Sequence, residues 1–339
     1  MKTLFHATRR AGLGATFRAM AGAALLAAAP AAFAQTWPSK PVRIVIGAPA
    51  GGTADIVARL LADGLQKEWG QPVIVDAKPG GAGTIGVNEV LSAPADGYTL
   101  YVAVSAQVTE IPHVIKLRFD PFKDLKPLAD LGGSGLLFVG NPSVPAKNVA
   151  EVVAYVKANP GKVSYASYSA GTASHTIGLE LNKAAGIDLS HVPYKGSPPA
   201  LQDVMGGHVP LMFDGPATSI PMIKGGKLKA FAVSGPKRNP ALPEVPTFAE
   251  QGFPSLDETA VMLLWSRPDV PAEVQAKIRA AALKVMSQPA AQARLREFGF
   301  DQGGGATPEE LTRQLRSAYD KQGATLRALG VKPQELAGG

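Results

Sequence analysis

The sequence contains no cysteine in its 339 residues. This absence excludes disulfide bonds, iron–sulfur clusters, thiolate zinc sites, a cysteine nucleophile and a lipid-accepting cysteine. Charged residues are also scarce, at 18% of the chain compared with roughly 25% in an average soluble protein. The zinc-protease signature H-E-x-x-H and the hydrolase signature G-x-S-x-G are absent as well. Few of the common enzyme classes therefore remain open.

The remaining polar residues give little indication of metal or nucleic-acid binding. None of the histidines at positions 113, 175, 191 and 208 has another histidine four residues away, so the sequence predicts no metal site and no cofactor. No segment after the N-terminus clusters lysine and arginine with aromatic residues, so nucleic acid is not an expected partner. A Ser/His/Asp triad assembles in space, however, and an exported hydrolase using a serine and His175 stays open.

The first 34 residues have the pattern of a secretory signal peptide. They hold four basic residues and no acidic one, and an apolar run from Ala19 ends at Ala34 with Ala-Phe-Ala. This run is shorter than the ~20 residues that a membrane-spanning helix needs, and Pro30 interrupts it. Cleavage near Ala34 lowers the net charge from +7 to +3. We expect an exported protein that diffuses freely in a Gram-negative periplasm.

The pattern of the rest of the chain predicts an α/β fold. Short apolar runs of strand type alternate with runs of helical spacing, beginning at the strand Val42–Ile46. The C-terminal part reads as mostly helical, with helices at Ala272–Met286, Ala290–Phe298 and Pro308–Leu329. Such alternation is typical of parallel or mixed sheets. The length and the 46% content of hydrophobic residues fit about two domains with cores of their own.

Two glycine- or proline-rich stretches divide the chain into two predicted lobes. The chain would cross between lobes at Gly132–Gly135 and again within Pro236–Pro254. Residues 1–34 are then the signal peptide, residues 35–134 with 250–339 form the first lobe, and residues 135–249 form the second. Two crossings make a hinge, and ligands of such folds lie in the cleft at the carboxyl ends of the strands.

Two glycine-rich loops of the first lobe are candidates for anion binding. The loop Gly47–Asp55 follows the first strand and precedes a helix, and the loop Pro79–Gly86 has the same setting. Such loops expose backbone N–H groups at a helix start, where the helix dipole favours negative charge. Neither nucleotide fingerprint, G-x-G-x-x-G or Gly-Lys-Ser/Thr, fits, so phosphate and carboxylate both stay open. Asp55 is either a first-turn acid or a residue that orders water or accepts a ligand hydrogen bond.

Three loops of the second lobe end predicted strands and carry polar side chains. They are the hydroxyl-rich loop Tyr165–His175, the segment His191–Gly196 and the segment Met212–Gly215. Their hydroxyl groups would face a ligand already held by the first lobe. His175 is either a histidine with a satisfied ring on a helix face or a functional residue, and Lys195 is either a solvated lysine or a ligand contact.

A series of motifs in a fixed order carries a family resemblance that covers essentially the whole chain after the signal. The motifs are Trp37–Val45, Pro49–Asp55, Gly70–Val75, Lys78–Gly86, Ala95–Leu100, Phe119–Pro121, Pro160–Tyr165, Gly171–His175, His191–Gly196, Gly225–Leu228 and Leu242–Thr247. Together they resemble the Bug-type receptors, which are the extracytoplasmic substrate-binding proteins of tripartite tricarboxylate transporters.

The resemblance implies a two-lobed periplasmic-binding-protein fold that acts as a monomer, performs no reaction and presents its closed lobes to membrane transporter subunits. The implied ligand is a small carboxylate: a dicarboxylate, a tricarboxylate, an acidic amino acid or an aromatic acid. The first lobe would grip it with backbone amides and waters, and the second with hydroxyl groups. The candidate ligand-binding residues are Ala50, Gly51, Gly52, Thr53, Asp55, Gly80, Gly81, Ala82, Gly83, Ser167, Tyr168, Ser169, Thr172 and Asp214.

The chain departs from the usual family pattern at three places. They are Ala77–Pro79, the segment Ser105–His113 and Tyr168, where a small residue is common. These departures bear on the variable part of the ligand, and Tyr168 suggests stacking on a planar ring. A receptor that signals to a sensor protein is a further alternative, since the same closed lobes could serve signalling or transport.

Overall fold

The computed structural model of the protein describes residues 37–335, so the predicted signal peptide lies outside the described residues. The described residues from Lys40 onward belong to one compact unit, which we call the second unit because it follows the N-terminal part of the chain, and this unit holds all strands and helices described below. No helix within residues 37–335 combines the length and the apolar character that crossing a bilayer requires.

The second unit alternates strands and helices along the chain. The strands are β1 (Val42–Ile46), β2 (Val73–Ala77), β3 (Thr99–Val104), β4 (Lys126–Gly135), β5 (Leu137–Gly140), β6 (Ser164–Ser167), β7 (Ser190–Pro193), β8 (Leu211–Asp214), β9 (Lys229–Val233) and β10 (Thr259–Ser266). The helices are α1 (Thr53–Trp69), α2 (Thr84–Leu91), α3 (Ala106–Thr109), α4 (Ile111–Val114), α5 (Pro121–Asp124), α6 (Val149–Ala158), α7 (Ala173–Ala185), α8 (Ser197–Met205), α9 (Pro216–Lys224), α10 (Ala272–Met286), α11 (Pro289–Glu297) and α12 (Pro308–Ala328). Short 3₁₀ turns lie at Gly81–Gly83 and Ala249–Gln251.

The strands form two five-stranded mixed sheets, which confirms the two-lobed α/β fold. The first sheet has the order β2-β1-β3-β10-β4, and the second has the order β7-β6-β8-β5-β9. In the first, β1 runs parallel to β2 and β3, whereas β10 is antiparallel to β3 and β4. In the second, β6 runs parallel to β7 and β8, and β5 is antiparallel to β8 and β9. We call the parts built on these sheets the first and the second lobe.

The first lobe begins with a buried strand and an amphipathic helix. Four of the five residues of β1 are buried, and α1 buries Val57, Leu61 and Leu65, which lie four residues apart on one helix face. Each such leucine contributes about 1.5–3 kcal/mol on full burial. Gly64 lets α10 come close, because a Cβ atom there would lie 2.1 Å from Val285 Cγ1. This packing holds the start of α1, and hence the first glycine-rich loop, in a fixed place.

The second lobe is held by a cluster of phenylalanine rings. Phe138 on β5 stacks on Phe213 on β8 with ring centroids 4.5 Å apart, and Phe231 and Phe248 pack against the same ring. All four side chains are buried. Stacked aromatic pairs contribute about 0.5–1.5 kcal/mol beyond the burial of their area. The cluster fixes the position of β8, which ends at Asp214 and is followed by Gly215.

The expectation that Gly132–Gly135 forms a crossover segment is wrong, because these residues end β4. They pair with Thr259–Met262 of β10. The glycines permit close packing: a Cβ atom on Gly135 would lie 1.9 Å from the Ser234 carbonyl oxygen. The chain still passes between the sheets directly after β4 and again between β9 and β10, across the proline-rich stretch. The division of the lobes at residues 134 and 250 stays a prediction.

Candidate functional site

A cavity of about 190 Å³ lies between the two lobes. The first lobe lines it with the loops after β1 and β2 and with parts of β3, β10 and α3, and the second lobe with the loops after β6, β7 and β8. These loops follow the carboxyl ends of the parallel strands, which is where α/β folds bind their ligands. The location agrees with the cleft that the sequence predicts.

The first glycine-rich loop leaves the start of α1 open to this cavity. Its N-cap residue, Gly52, has no side chain to cap the helix. The Gly51 N–H donates to Asp55 Oδ2 at 2.9 Å, and the Gly52 N–H donates to the Pro49 carbonyl at 3.2 Å. The first-turn N–H groups of Thr53 and Ala54 have no acceptor within the helix, and both residues line the cavity. A helix start of this kind is suited to donate hydrogen bonds to an anion.

Asp55 supports this loop from behind. Its side chain is buried, accepts from the Gly51 N–H and from Arg59 Nε at 2.9 Å each, and does not line the cavity. The structure therefore places it as a first-turn acid that holds Gly51. The buried Thr53 Oγ1 has no hydrogen-bond partner within the protein, and Thr53 does line the cavity.

The second glycine-rich loop has an unusual backbone. Gly80, Gly81, Ala82 and Gly83 have φ angles of 120°, 54°, 53° and 90° in succession. Ala82 is the one non-glycine residue with positive φ among residues 37–335, which costs roughly 1–2 kcal/mol. All four residues line the cavity. Strain of this kind is characteristic of binding loops.

The second lobe adds another uncapped helix start. Thr172 is the N-cap residue of α7, but its hydroxyl donates to the Ser169 carbonyl at 2.8 Å instead of capping the helix. Thr172 and Ala173 line the cavity together with Ser169. The positive ends of α1 and α7 therefore open on the same cavity from opposite lobes.

Asp214, in contrast, is a buried anchor of the second lobe. It is fully buried and accepts hydrogen bonds from the hydroxyls of Ser197 and Thr218 at 2.7 Å each, and from Ser219. Burial raises the pKa of Asp214, while these hydroxyl groups oppose the rise. The carboxylate thereby ties the starts of α8 and α9 together.

Tyr168 lies between Asp214 and the cavity. Its hydroxyl accepts from the Gly215 N–H, and burial, followed by the charge of Asp214, raises its pKa well above the usual range. The ring lines the cavity. Stacking of this ring on a planar ligand stays a prediction.

Serine and histidine meet away from the cavity. Ser167 Oγ lies 2.6 Å from His191 Nε2, and the His191 ring stacks on the His175 ring with centroids 4.0 Å apart. Burial lowers the pKa of His175 to about 4 and, together with the charge of His175, lowers the pKa of His191 to about 3. The Gly171 N–H donates to His175 Nδ1. Ser167 is fully buried, and none of the three side chains lines the cavity. Of the two interpretations of His175, the structure therefore fits a histidine on a helix face whose ring has its hydrogen-bond partner within the protein.

Nine of the fourteen candidate residues line the cavity. These nine are Gly52, Thr53, Gly80, Gly81, Ala82, Gly83, Tyr168, Ser169 and Thr172. The other five, which do not line it, are Ala50, Gly51, Asp55, Ser167 and Asp214. The direct binding of ligand by any of the fourteen stays a prediction.

Gln107 and Gly215 line the cavity, although the sequence predicted neither as a ligand-binding residue and placed them only within the longer segments Ser105–His113 and Met212–Gly215. Gln107 belongs to the segment Ser105–His113, where the chain departs from the family pattern, and that departure was the available signal. Lys195 does line the cavity. Within residues 37–335, no group of three histidine or acidic side chains is arranged to hold a metal ion.

Comparisons with known proteins agree with this geometry. Residues 57–331 match the model of the tripartite tricarboxylate transporter family receptor. A UPF0065 protein from the gbd 5′ region of Cupriavidus necator is 38% identical over 297 residues, which are 87% of this chain and 89% of that protein.

Two solved structures share the fold closely. The periplasmic binding protein BugD has a TM-score of 0.84 at 31% identity, covering 88% of this chain and 100% of its own. An R. palustris protein with adipate has a TM-score of 0.84 at 27% identity, with coverage of 88% and 100%. The chain belongs to the tripartite tricarboxylate transporter receptor family, whose members are substrate-binding receptors.

Proposed function

We propose that the protein is a periplasmic receptor that binds one small carboxylate in the cleft and delivers it to the membrane subunits of a tripartite tricarboxylate transporter. In this proposal the signal peptide is cleaved near Ala34, and the mature protein is a monomer that returns its ligand unchanged. The adipate bound to the R. palustris relative supports a carboxylate as the ligand class.

One observation carries the proposal: α1 and α7 both begin without a side-chain cap, and both starts line one cavity. Preorganised N–H donors and helix dipoles stabilise an anion without a positively charged side chain. The left-handed loop Gly80–Gly83 lines the same cavity. A carboxylate between the two lobes would be satisfied by donors from both, and its binding would shift the lobes toward closure.

Ligand-stripped mature protein should be screened by thermal shift against aliphatic and aromatic carboxylates, with the methyl ester of each acid as a matched uncharged control. A ligand at 100 times its dissociation constant adds about 2.7 kcal/mol of stability. We expect a shift with at least one acid, no shift with its ester, and recovery of the intact acid by mass spectrometry. Consumption of the acid would favour the hydrolase alternative, and equal shifts with acid and ester would contradict the anion site.

The hydroxyl of Thr53 provides a point test of the same site. Thr53→Val keeps the shape of the side chain but removes an unpartnered buried hydroxyl at the cavity. We expect roughly a tenfold loss of affinity, since a hydrogen bond to a charged ligand contributes about 1.5–3 kcal/mol. Calorimetric titration measures it. Thr312→Val on α12, where the hydroxyl bonds only the Pro308 carbonyl of its own helix, is the control and should leave affinity unchanged.

A gene deletion distinguishes a role in transport from a role in sensing. Deletion of the gene should abolish uptake of the ligand without changing gene induction if the role is transport. Loss of induction with uptake retained would instead favour the sensor alternative.

A further inference from the structure

Gln107 is a buried amide side chain that faces the cavity without a complete set of partners. It lies on α3, is 4% exposed and lines the cavity. Its Nε2 atom is buried and has no hydrogen-bond acceptor within the protein. An unpaired buried amide donor costs about 1–3 kcal/mol, and a ligand acceptor would remove that cost.

The surroundings of Gln107 hold its side chain in one orientation. The Tyr101 hydroxyl lies 3.3 Å from Gln107 Oε1 and 3.3 Å from the Gly83 carbonyl oxygen, so its single proton is shared between these two acceptors. Burial raises the pKa of Tyr101, so the phenol keeps this proton. Oε1 packs on Gly83, where a Cβ atom would lie only 2.3 Å away. With Oε1 engaged, Nε2 is the group left for a ligand. The Gln107 side chain stands beside Gly83 of the loop Gly80–Gly83, which belongs to the proposed anion site.

The charges around the cavity favour acceptor groups on the ligand. None of the lining residues within residues 37–335 is acidic, and Lys195 is the single charged side chain among them. Asp55 and Asp214 lie outside the lining and accept hydrogen bonds from Arg59 and from three hydroxyl groups, respectively. A ligand ammonium group would therefore find no counter-charge on the cavity wall, and its burial unpaired would be costly.

We propose that Gln107 is a ligand-binding residue that selects acids whose polar groups accept hydrogen bonds, and that the site rejects acids carrying an α-ammonium group. The Nε2 donor binds an acceptor oxygen of the ligand near the carboxylate held at Gly80–Gly83. This inference rests on the proposed carboxylate function and narrows its ligand class by excluding acidic amino acids.

The test uses pairs of acids that differ by one ammonium group. The probes are succinate and aspartate, glutarate and glutamate, adipate and 2-aminoadipate, and phenylacetate and phenylglycine, titrated into the ligand-stripped mature protein. We expect at least a 100-fold weaker affinity for the amino acid of the pair that binds. An amino acid that binds as tightly as its partner would overturn the inference and leave the carboxylate function standing. No binding of any acid would overturn the carboxylate function, and the inference with it.

Variants of Gln107 separate ligand contact from a structural role. In Gln107→Leu the new side chain has a similar volume but no hydrogen-bond donor. We expect about a tenfold loss of affinity for the acid, and a smaller ratio of the affinity for the acid to the affinity for the amino acid of the pair. Gln107→Glu places a carboxylate beside the ligand anion. We expect it to lower the affinity for the acid further and to reduce the affinity ratio of the pair more than Gln107→Leu does. Equal losses for both members of the pair, with an unchanged ratio, would show a structural role only and overturn the proposal. Unchanged affinity in both variants would do so as well.

Discussion

Gly215→Val is expected to lower ligand affinity by about 10- to 100-fold while the protein still folds. Gly215 precedes α9 in the second lobe, and a Cβ atom there would lie 2.5 Å from Thr53 Oγ1 of the first lobe and 3.3 Å from the Tyr168 hydroxyl. Its backbone angles, φ −68° and ψ 146°, are open to any residue. The added side chain therefore strains the contact between the lobes rather than the local backbone. Overpacking of this kind costs about 1–3 kcal/mol, and each 1.4 kcal/mol is about tenfold in affinity.

Three measurements check this expectation. Calorimetric titration gives the affinity, small-angle scattering with and without ligand gives the degree of closure, and denaturant unfolding gives the stability of the variant. The control is Gly305→Val, because no atom lies within 4 Å of a Cβ at Gly305. Wild-type affinity in Gly215→Val would show that the lobes do not need to meet at this contact. A large loss of stability would show that Gly215 acts on the fold instead.

The elements that the sequence predicts best are those with a clear local pattern. The strand β1 and the helix α10 have the predicted bounds, Val42–Ile46 and Ala272–Met286. In the first, β-branched residues form a short apolar run, and in the second, buried positions such as Ile278 and Val285 repeat at helical spacing over fifteen residues. Here the local preference and the final burial agree, so pattern alone is enough.

The strands β4 and β10 were missed because tertiary contacts determine them. The run Thr259–Ser266 lies between two other strands, and its last five residues are buried, so it lacks the alternation of a half-exposed strand. Its partner β4 ends in Gly132–Gly135, whose composition indicates a linker, yet the small size of these residues is what the neighbouring chain requires. Sequence alone does not distinguish a flexible glycine from one that permits close packing.

In the candidate site, too, local sequence patterns predict some features, whereas tertiary contacts determine others. The two glycine-rich loops were predicted because a glycine cluster between a strand and a helix has a local meaning. The roles of Asp55, Asp214 and Gln107 depend on the direction of each side chain, which neighbours distant in sequence decide. Asp214 faces three hydroxyls of its own lobe, whereas Gln107 contacts Tyr101 and lines the cavity.

A second large effect is expected from one buried and two half-buried carboxyl groups where the lobes meet. Glu110, after α3, accepts from the Thr176 hydroxyl of α7 at 3.1 Å, and Glu258, just before β10, accepts from Gln322 of α12. Glu180 of α7 completes the group, in which Glu110 is buried and Glu180 and Glu258 are half-buried. We call Glu110, Glu180 and Glu258 the buried carboxyl cluster. Two further charges face it: Lys321 of α12 and Asp257, which form an ion pair of 3.2 Å with each other.

Burial raises the pKa of all three cluster members. Burial and the charge of Glu258 raise the pKa of Glu110 well above its usual range. Burial, with the charge of Asp257, raises the pKa of Glu180 to about 7, against the opposing effect of Lys321. Burial, with the charge of Glu180, raises the pKa of Glu258 to about 7. In the folded protein the cluster therefore holds protons that the unfolded chain releases near pH 4.5.

The consequence is a loss of stability as the pH rises. Below about pH 4.5 the carboxyl groups are neutral in both states, so they carry no penalty. Between about pH 4.5 and 7 the unfolded chain is ionised while the folded cluster stays protonated, and the free energy of unfolding contributed by the cluster falls. Above about pH 7 Glu180 and Glu258 ionise in the folded protein as well, and the penalty from these two groups reaches its full size. The sign follows because the unfolded state binds fewer protons than the folded state.

Glu258→Gln should remove a large part of this penalty. The amide keeps an oxygen that accepts from Gln322 but carries no charge at any pH. We expect the variant to unfold at the same denaturant concentration as the wild type at about pH 3.5 and to be more stable at pH 8, by about 1–3 kcal/mol, since one pKa unit corresponds to about 1.4 kcal/mol. The exposed Glu244, changed to glutamine, is the matched control and should leave the pH profile of unfolding as it is.

Parallel pH profiles of unfolding for Glu258→Gln and the wild type would contradict the pKa shifts of the buried carboxyl cluster. The reverse result, a variant less stable at pH 8, would mean that a charged Glu258 stabilises the meeting point of the lobes through Lys321.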